Sequence, residues 1–110
     1  MTESEYSRLA DETLRHIEHA VEVVDAGFDC ALSNGGVLEI EFEDGSVIVV
    51  NKQAAAQELW VAARGGGFHY RWDGAGWRDT RSGEELFAAL SRLASSQSGG
   101  AVVLAPTVRD

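Results

Sequence analysis

Four acidic side chains, Asp11, Glu18, Glu22 and Asp25, recur along the first 25 residues at helical spacing. At 100° per residue they fall within an arc of about 60°, just beside an apolar stripe, and so form one carboxylate row. Asp29, at the start of the next segment, extends it. Hard oxygen ligands of this kind suit iron, manganese, magnesium or calcium. A single row supplies no converging cage, so a cation there is expected to be open, weakly held and hydrated. The same row would attract a basic protein surface. Like charges at these spacings repel by a few tenths of a kcal/mol per pair, and Glu22 and Asp25 lie near the negative end of the helix dipole. A solvated helix face is the plain reading of such a row; a surface for cations or a basic partner is the sharper one. A secondary set, Glu12, His16 and His19, stands at i, i+4 and i+7 on the outward face. Two imidazoles and a carboxylate suit a transition metal. No orienting partner is evident for them, so surface histidines are the preferred reading.

Charge distribution supports the row as a source of field. Residues 1–44 hold twelve acids and two arginines, a formal −10, whereas residues 45–110 hold six acids and seven bases, a formal +1. Such a field selects metal cations or a basic protein and disfavours a nucleic-acid backbone. Signals for catalysis are poor. Cys30, read as pointing opposite to Phe28 and Leu32, has no activating neighbour and reads as inert filling. As the sole cysteine it excludes an internal disulfide and a multi-cysteine zinc site. Asn34-Gly35-Gly36 and Gly65-Gly66-Gly67 lack the spacing and the lysine of a phosphate-binding loop and read as turns. His69 has no nucleophile to serve.

The elements that must position these groups follow from periodicity. Ser4 to Asp25 reads as a helix with Ser4 as N-cap, since Tyr6, Leu9, Ala10, Thr13, Leu14, Ile17, Ala20, Val21 and Val24 recur every three or four residues. Short strands are expected at 28–32, 37–43, 47–50, 57–62, 68–72 and 77–79. In the second, Leu38, Ile40 and Phe42 alternate with Glu39, Glu41 and Glu43, the pattern of a strand buried on one side. Asp44-Gly45 reads as a two-residue hairpin. If Leu59 and Val61 are core, Trp60 lies on the exposed sheet face, where an indole is a binding anchor. Ser82 and Glu85 read as a capping box opening a second helix that buries Leu86, Leu90 and Leu93 with Phe87 and Ala94. Residues 101–104 form a last strand or an extended tail over the core.

This order of elements predicts an α+β fold, a two-layer sandwich with two helices on one face of a twisted antiparallel sheet. The 110 residues form a single domain, with about 105–110 as a tail. The longest purely apolar run, Leu59 to Ala63, is far short of a membrane span. The acidic N-terminus resembles neither a secretory signal nor a transit peptide, which predicts a cytoplasmic setting.

Taken in order, Ser4-Glu5-Tyr6 with Leu9-Ala10-Asp11, Asn34-Gly35-Gly36-Val37-Leu38, Phe42 with Gly45-Ser46, Asn51-Lys52-Gln53, Leu59-Trp60-Val61-Ala62, Gly66-Gly67-Phe68-His69-Tyr70 and Ser82-Gly83-Glu84 resemble the frataxin family in its bacterial branch. The resemblance covers nearly the whole chain. It implies a non-catalytic accessory or regulatory protein of iron-sulfur cluster assembly that binds Fe2+ or Fe3+ weakly on an acidic ridge and docks on the cysteine desulfurase. Other divalent cations and the cluster scaffold protein are secondary expectations, as is a monomer in the absence of iron. By position, Glu18, Glu22, Asp25 and Asp29 match ridge acids, Asp11 matches an acid near the helix start, and Asn51, Gln53 and Trp60 match exposed sheet positions that meet the assembly machinery. Asp11, Glu18, Glu22 and Asp25 would serve the partner as well as the metal. Ala55 replaces a proline usual in the family, Glu58 stands where glutamine is common, and His19, Val23 and Phe28 thin the ridge. Two alternatives remain: an iron-storage or ferroxidase-like protein that oligomerises with iron, and a protein-binding module whose metal affinity is incidental.

Overall fold

The computed structural model describes residues 1–106; the last four residues of the expected 105–110 tail lie outside them. The first helix, α1 (Glu3–Val24), opens on Thr2, not Ser4. Thr2 Oγ1 accepts from the Glu5 backbone N–H at 3.1 Å and Glu5 Oε1 accepts from the Thr2 N–H at 2.9 Å. This reciprocal box satisfies two donors that Ser4, inside the first turn, could not. The helix buries Tyr6, Ala10, Thr13, Leu14, Ile17, Ala20 and Val21. Its end comes at Asp25, held in the left-handed region at φ 50° with its N–H bonded to the Val21 carbonyl.

Six strands follow, β1 (Asp29–Leu32), β2 (Val37–Glu41), β3 (Val47–Gln53), β4 (Glu58–Ala63), β5 (Gly66–Trp72) and β6 (Trp77–Asp79). They form one antiparallel sheet in chain order. The hairpin at Asp44-Gly45 has three connecting residues instead of two. Gly45 N–H donates to the Phe42 carbonyl and Phe42 N–H to the Ser46 carbonyl, both at 2.9 Å, with Gly45 at φ +85°. That is a type I turn closed by a left-handed residue, which glycine supplies without strain. Gly66 and Gly67, expected in a turn, belong to β5, and the β4–β5 connection is Arg64-Gly65.

The second helix, α2 (Leu86–Ser98), begins four residues beyond Ser82. Glu85 is its N-cap, accepting from the N–H groups of Phe87 and Ala88 at 2.9 and 3.1 Å. A β-bridge to Arg78 keeps Glu85 extended, so the helix cannot start earlier. Both helices cover the same side of the sheet. Leu38, Ile40, Ile48, Val50, Leu59, Val61 and Tyr70 meet Leu14, Ile17, Leu86 and Leu90 in one core. Each fully buried aliphatic side chain contributes roughly 1.5–3 kcal/mol. Three polar links cross the layers. Tyr6 Oη donates to the Glu58 carbonyl at 2.8 Å, Trp77 Nε1 donates to Thr13 Oγ1 at 2.9 Å, and Gln97 bonds the Arg64 N–H, Ser46 Oγ and the Val47 carbonyl.

Residues 101–106 run extended without joining the sheet, and Val102 and Leu104 are buried. Two serines of α2 take the place of a neighbouring strand. Ser95 Oγ accepts from the Val102 N–H and faces its carbonyl, and Ser91 Oγ does the same for Leu104, at 2.8–3.1 Å. Replacing both, Ser91→Ala with Ser95→Ala, is expected to lower stability by about 1–3 kcal/mol in urea denaturation. It should also speed amide exchange at Val102 and Leu104; unchanged exchange would mean that apolar burial alone retains this segment.

Candidate metal ridge and docking face

Glu18 and Glu22 project from the half of α1 that packs beside β1. The Cys30 thiol registers them: burial pushes it up to about 11, with Glu18 and Glu22 adding to the rise. Cys30 shares the inner side of β1 with Leu32, packed against the core, contrary to the expectation that it points the other way. The reason is simple parity, since residues 28, 30 and 32 lie on one face of an extended chain. A half-buried thiol flanked by acids stays protonated and is no nucleophile.

The remaining acids are distributed less evenly than their helical arc suggests. Asp11 stands seven residues and about 10 Å along the axis from Glu18. Its Oδ1 is bonded by Lys52 Nζ at 2.8 Å, and Lys52 also reaches Ser7 Oγ at 3.2 Å. Asp11 is thus neutralised by the chain's sole lysine. Asp11 and Glu18 both line a shallow groove of about 290 Å³ between α1 and the β1–β2 turn. Glu12 pairs with Arg8 at 3.4 Å. His16 and His19 are half-buried on α1. Glu22 and Asp25 are exposed, as is Asp29 on the solvent side of β1.

Strand register adds two acids that helical spacing could not reveal. Asp29 lies directly opposite Glu41, and Ala31 opposite Glu39, so Glu39 and Glu41 share the uncovered sheet face with Asp29. The acidic surface therefore continues from α1 across the edge strand. Among the described residues, no three His, Cys, Asp or Glu side chains come together as a metal site. The donor set fits a hydrated cation held by one or two carboxylates, not a closed cage.

The uncovered face carries a second grouping. Leu59 and Val61 are buried and Trp60 alternates outward, half-buried. Asn51 lies opposite Trp60 on β3 and Gln53 opposite Glu58, so the three expected docking residues share this face. The Trp60 ring stacks on His69 of β5, centroids 4.3 Å apart and planes 6° from parallel. Beneath them Glu58, only 5% exposed, accepts from Trp60 Nε1 at 2.9 Å and from the Arg71 guanidinium at 2.6 Å, with His69 Nδ1 at 3.7 Å. Burial alone would raise the Glu58 carboxyl; the hydrogen bonds from Trp60 and Arg71 and the charges of Arg71 and His69 outweigh it and hold it below the ordinary value. Neither His69 nor Arg71 was a sequence candidate. Outward parity from Trp60 points to Glu58, but the opposing β5 residues depend on register.

A family model described as a frataxin-like domain matches residues 1–100. The chain belongs to the frataxin family. Its relatives include the iron-sulfur cluster assembly protein CyaY of Dechloromonas aromatica, 57% identical over 104 residues that span 94% of this chain and 99% of that one. The protein of the same description from Cupriavidus pinatubonensis is 51% identical over 107 residues, 94% and 96% of the two chains. Among solved structures, the frataxin of Psychromonas ingrahamii superposes with a TM-score of 0.87 at 33% identity, covering 96% of this chain and 99% of that one.

Asp25 combines a left-handed backbone with a negative charge at the helix C-terminus. Asp25→Gly is therefore expected to stabilise the fold by about 0.5–1 kcal/mol and to raise Tm, while deleting a ridge carboxylate. A fall in Tm on thermal denaturation would contradict this.

Glu58 gives a pH signature. With its folded value lowered, its contribution is fully present above the ordinary glutamate value of 4.5 and is lost as pH falls through the folded value. The stability difference between wild type and Glu58→Gln should shrink as the pH falls below the ordinary glutamate value of 4.5. A difference independent of pH would show that the carboxylate's charge is not what stabilises.

Proposed function

We propose that this protein is a non-catalytic accessory factor of iron-sulfur cluster assembly that binds iron weakly on its acidic ridge and docks on the cysteine desulfurase. The observation that carries the proposal is the run of carboxylates from Glu18, Glu22 and Asp25 on α1 to Asp29, Glu39 and Glu41 on β1 and β2, for which no ion pair within 4.0 Å occurs among the described residues. A surface that keeps its acids unneutralised and mutually repelling is suited to an external cation. The relatives' description as iron-sulfur cluster assembly proteins supports placing that cation, Fe2+ or Fe3+, in cluster biogenesis. Asp11, held by Lys52, contributes less than the other four ridge candidates. Asn51, Gln53 and Trp60 supply the apolar and amide contacts of docking, with the scaffold protein as a second partner on the same face. The working compartment is the cytoplasm.

Titrating Fe2+ under nitrogen while recording backbone amide spectra should perturb residues around Glu18, Glu22, Asp25 and Asp29. Perturbations confined elsewhere would overturn the site. Glu18→Lys with Glu22→Lys should weaken desulfurase binding by tenfold or more, as expected for lost charge complementarity at an interface. Iron-stimulated oxygen consumption with growth in particle mass would instead favour storage.

A further inference from the structure

Glu58 is a carboxylate on the solvent side of the sheet that is nevertheless almost wholly buried. Burying a carboxylate is costly, and a well-packed apolar residue often serves stability as well or better. What encloses it is the very set of side chains that would meet a partner: the Trp60 indole bonded to one oxygen, the Arg71 guanidinium bonded to the other, and His69 beside it, stacked on Trp60. An indole on an open sheet has two free side-chain torsions. Here Glu58 fixes its N–H edge and His69 its face. The Arg71 side chain is 64% exposed, so its guanidinium is tethered at the rim without being covered.

We propose that Glu58 is a positioning residue of the docking face. It holds Trp60, His69 and Arg71 as one pre-formed platform, an aromatic surface edged by a cation, and so lowers the ordering cost of partner contact. The proposal rests on the docking role inferred above and adds to it a residue that touches no partner itself. It also defines the contact chemistry. The partner would place an apolar or aromatic side chain against the indole and an acceptor, carboxylate or carbonyl, near Arg71.

Three variants and two readouts test it. The first readout needs no partner: the Trp60 indole N–H resonance and its exchange with solvent. In Glu58→Ala the resonance should shift and its exchange accelerate, whereas Glu58→Gln, whose amide oxygen can still accept from the indole, should keep both near wild type. The second readout is a double-mutant cycle for binding to the cysteine desulfurase. Glu58→Ala should weaken binding by about tenfold in the native background and by little once Trp60→Ala is present, because the interaction acts through the indole. An unchanged indole signal in Glu58→Ala, or equal losses in both backgrounds, would overturn the proposal. Tyr6 bonds the Glu58 backbone carbonyl, so its link to the sheet survives all these changes. Should the wild-type protein fail to bind the desulfurase, the functional proposal falls, while the indole N–H still decides whether Glu58 positions Trp60.

Discussion

Two helices cover one side of a six-stranded meander and leave the other in solvent, and this one-sided burial organises most of the molecule. Every strand must send alternate residues inward to Leu14, Ile17, Leu86 and Leu90, so every intervening residue is committed to the outer face. A one-residue slip of β4 would exchange Leu59 and Val61 for Glu58 and Trp60. The cost of burying a carboxylate in that core makes the register strict. The position of the proposed docking residues is thus a by-product of core packing, set by side chains on the covered face of the sheet.

The acidic edge is a separate energetic problem. Asp29 faces Glu41 directly across two strands, and like charges so placed are destabilising. The last turn of α1 carries no basic residue, and Asp25 adds a left-handed backbone. These penalties are each of order a few tenths of a kcal/mol to 1 kcal/mol, small beside the burial of the helix's apolar face. Lys52 relieves one end of the row: its ammonium meets Asp11 while its stem lies so close to Gly36 that a Cβ there would come within 2.6 Å of Lys52 Cδ. The same residue therefore ties α1 to β3 and needs a glycine in the β1–β2 turn. Charge is compensated at the N-terminal half of α1, by Lys52, and left uncompensated along the half that packs beside β1.

The features that could be read from sequence were those set by a single element's own period. The burial of Leu38, Ile40 and Phe42 against exposed Glu39, Glu41 and Glu43 follows from alternation alone, as does the core face of α2. Boundaries went astray where two chemically similar signals competed. Thr2 and Ser4 both resemble N-caps, and only Thr2 has Glu5 three residues on; Ser82 and Glu85 form the right pair, but the bridge from Arg78 withholds Glu85 from the helix. Groupings that join elements were illegible. The Lys52–Asp11 pair, the serine clasp on residues 102–104, and the arrangement of His69 and Arg71 around Glu58 all depend on register or packing between distant segments.

The two outer surfaces work at different ranges. Exposed carboxylates act through a field that salt screens beyond about 8 Å, so in the role proposed for it the ridge would guide approach and gather cations more than fix a bound geometry. In the docking role proposed for it, the Trp60 platform would act only in contact, through desolvation and shape. Their order on the sheet is not symmetric. Acids lie on β1 and β2, Val47, Val49 and Ala62 lie in the middle, and His69, Arg71 and Arg78 lie on β5 and β6. The cations of β5 and β6 are already paired, Arg71 with Glu58 at 2.6 Å and Arg78 with Asp73 at 3.4 Å, so the uncompensated charge of the outer face lies at its acidic edge.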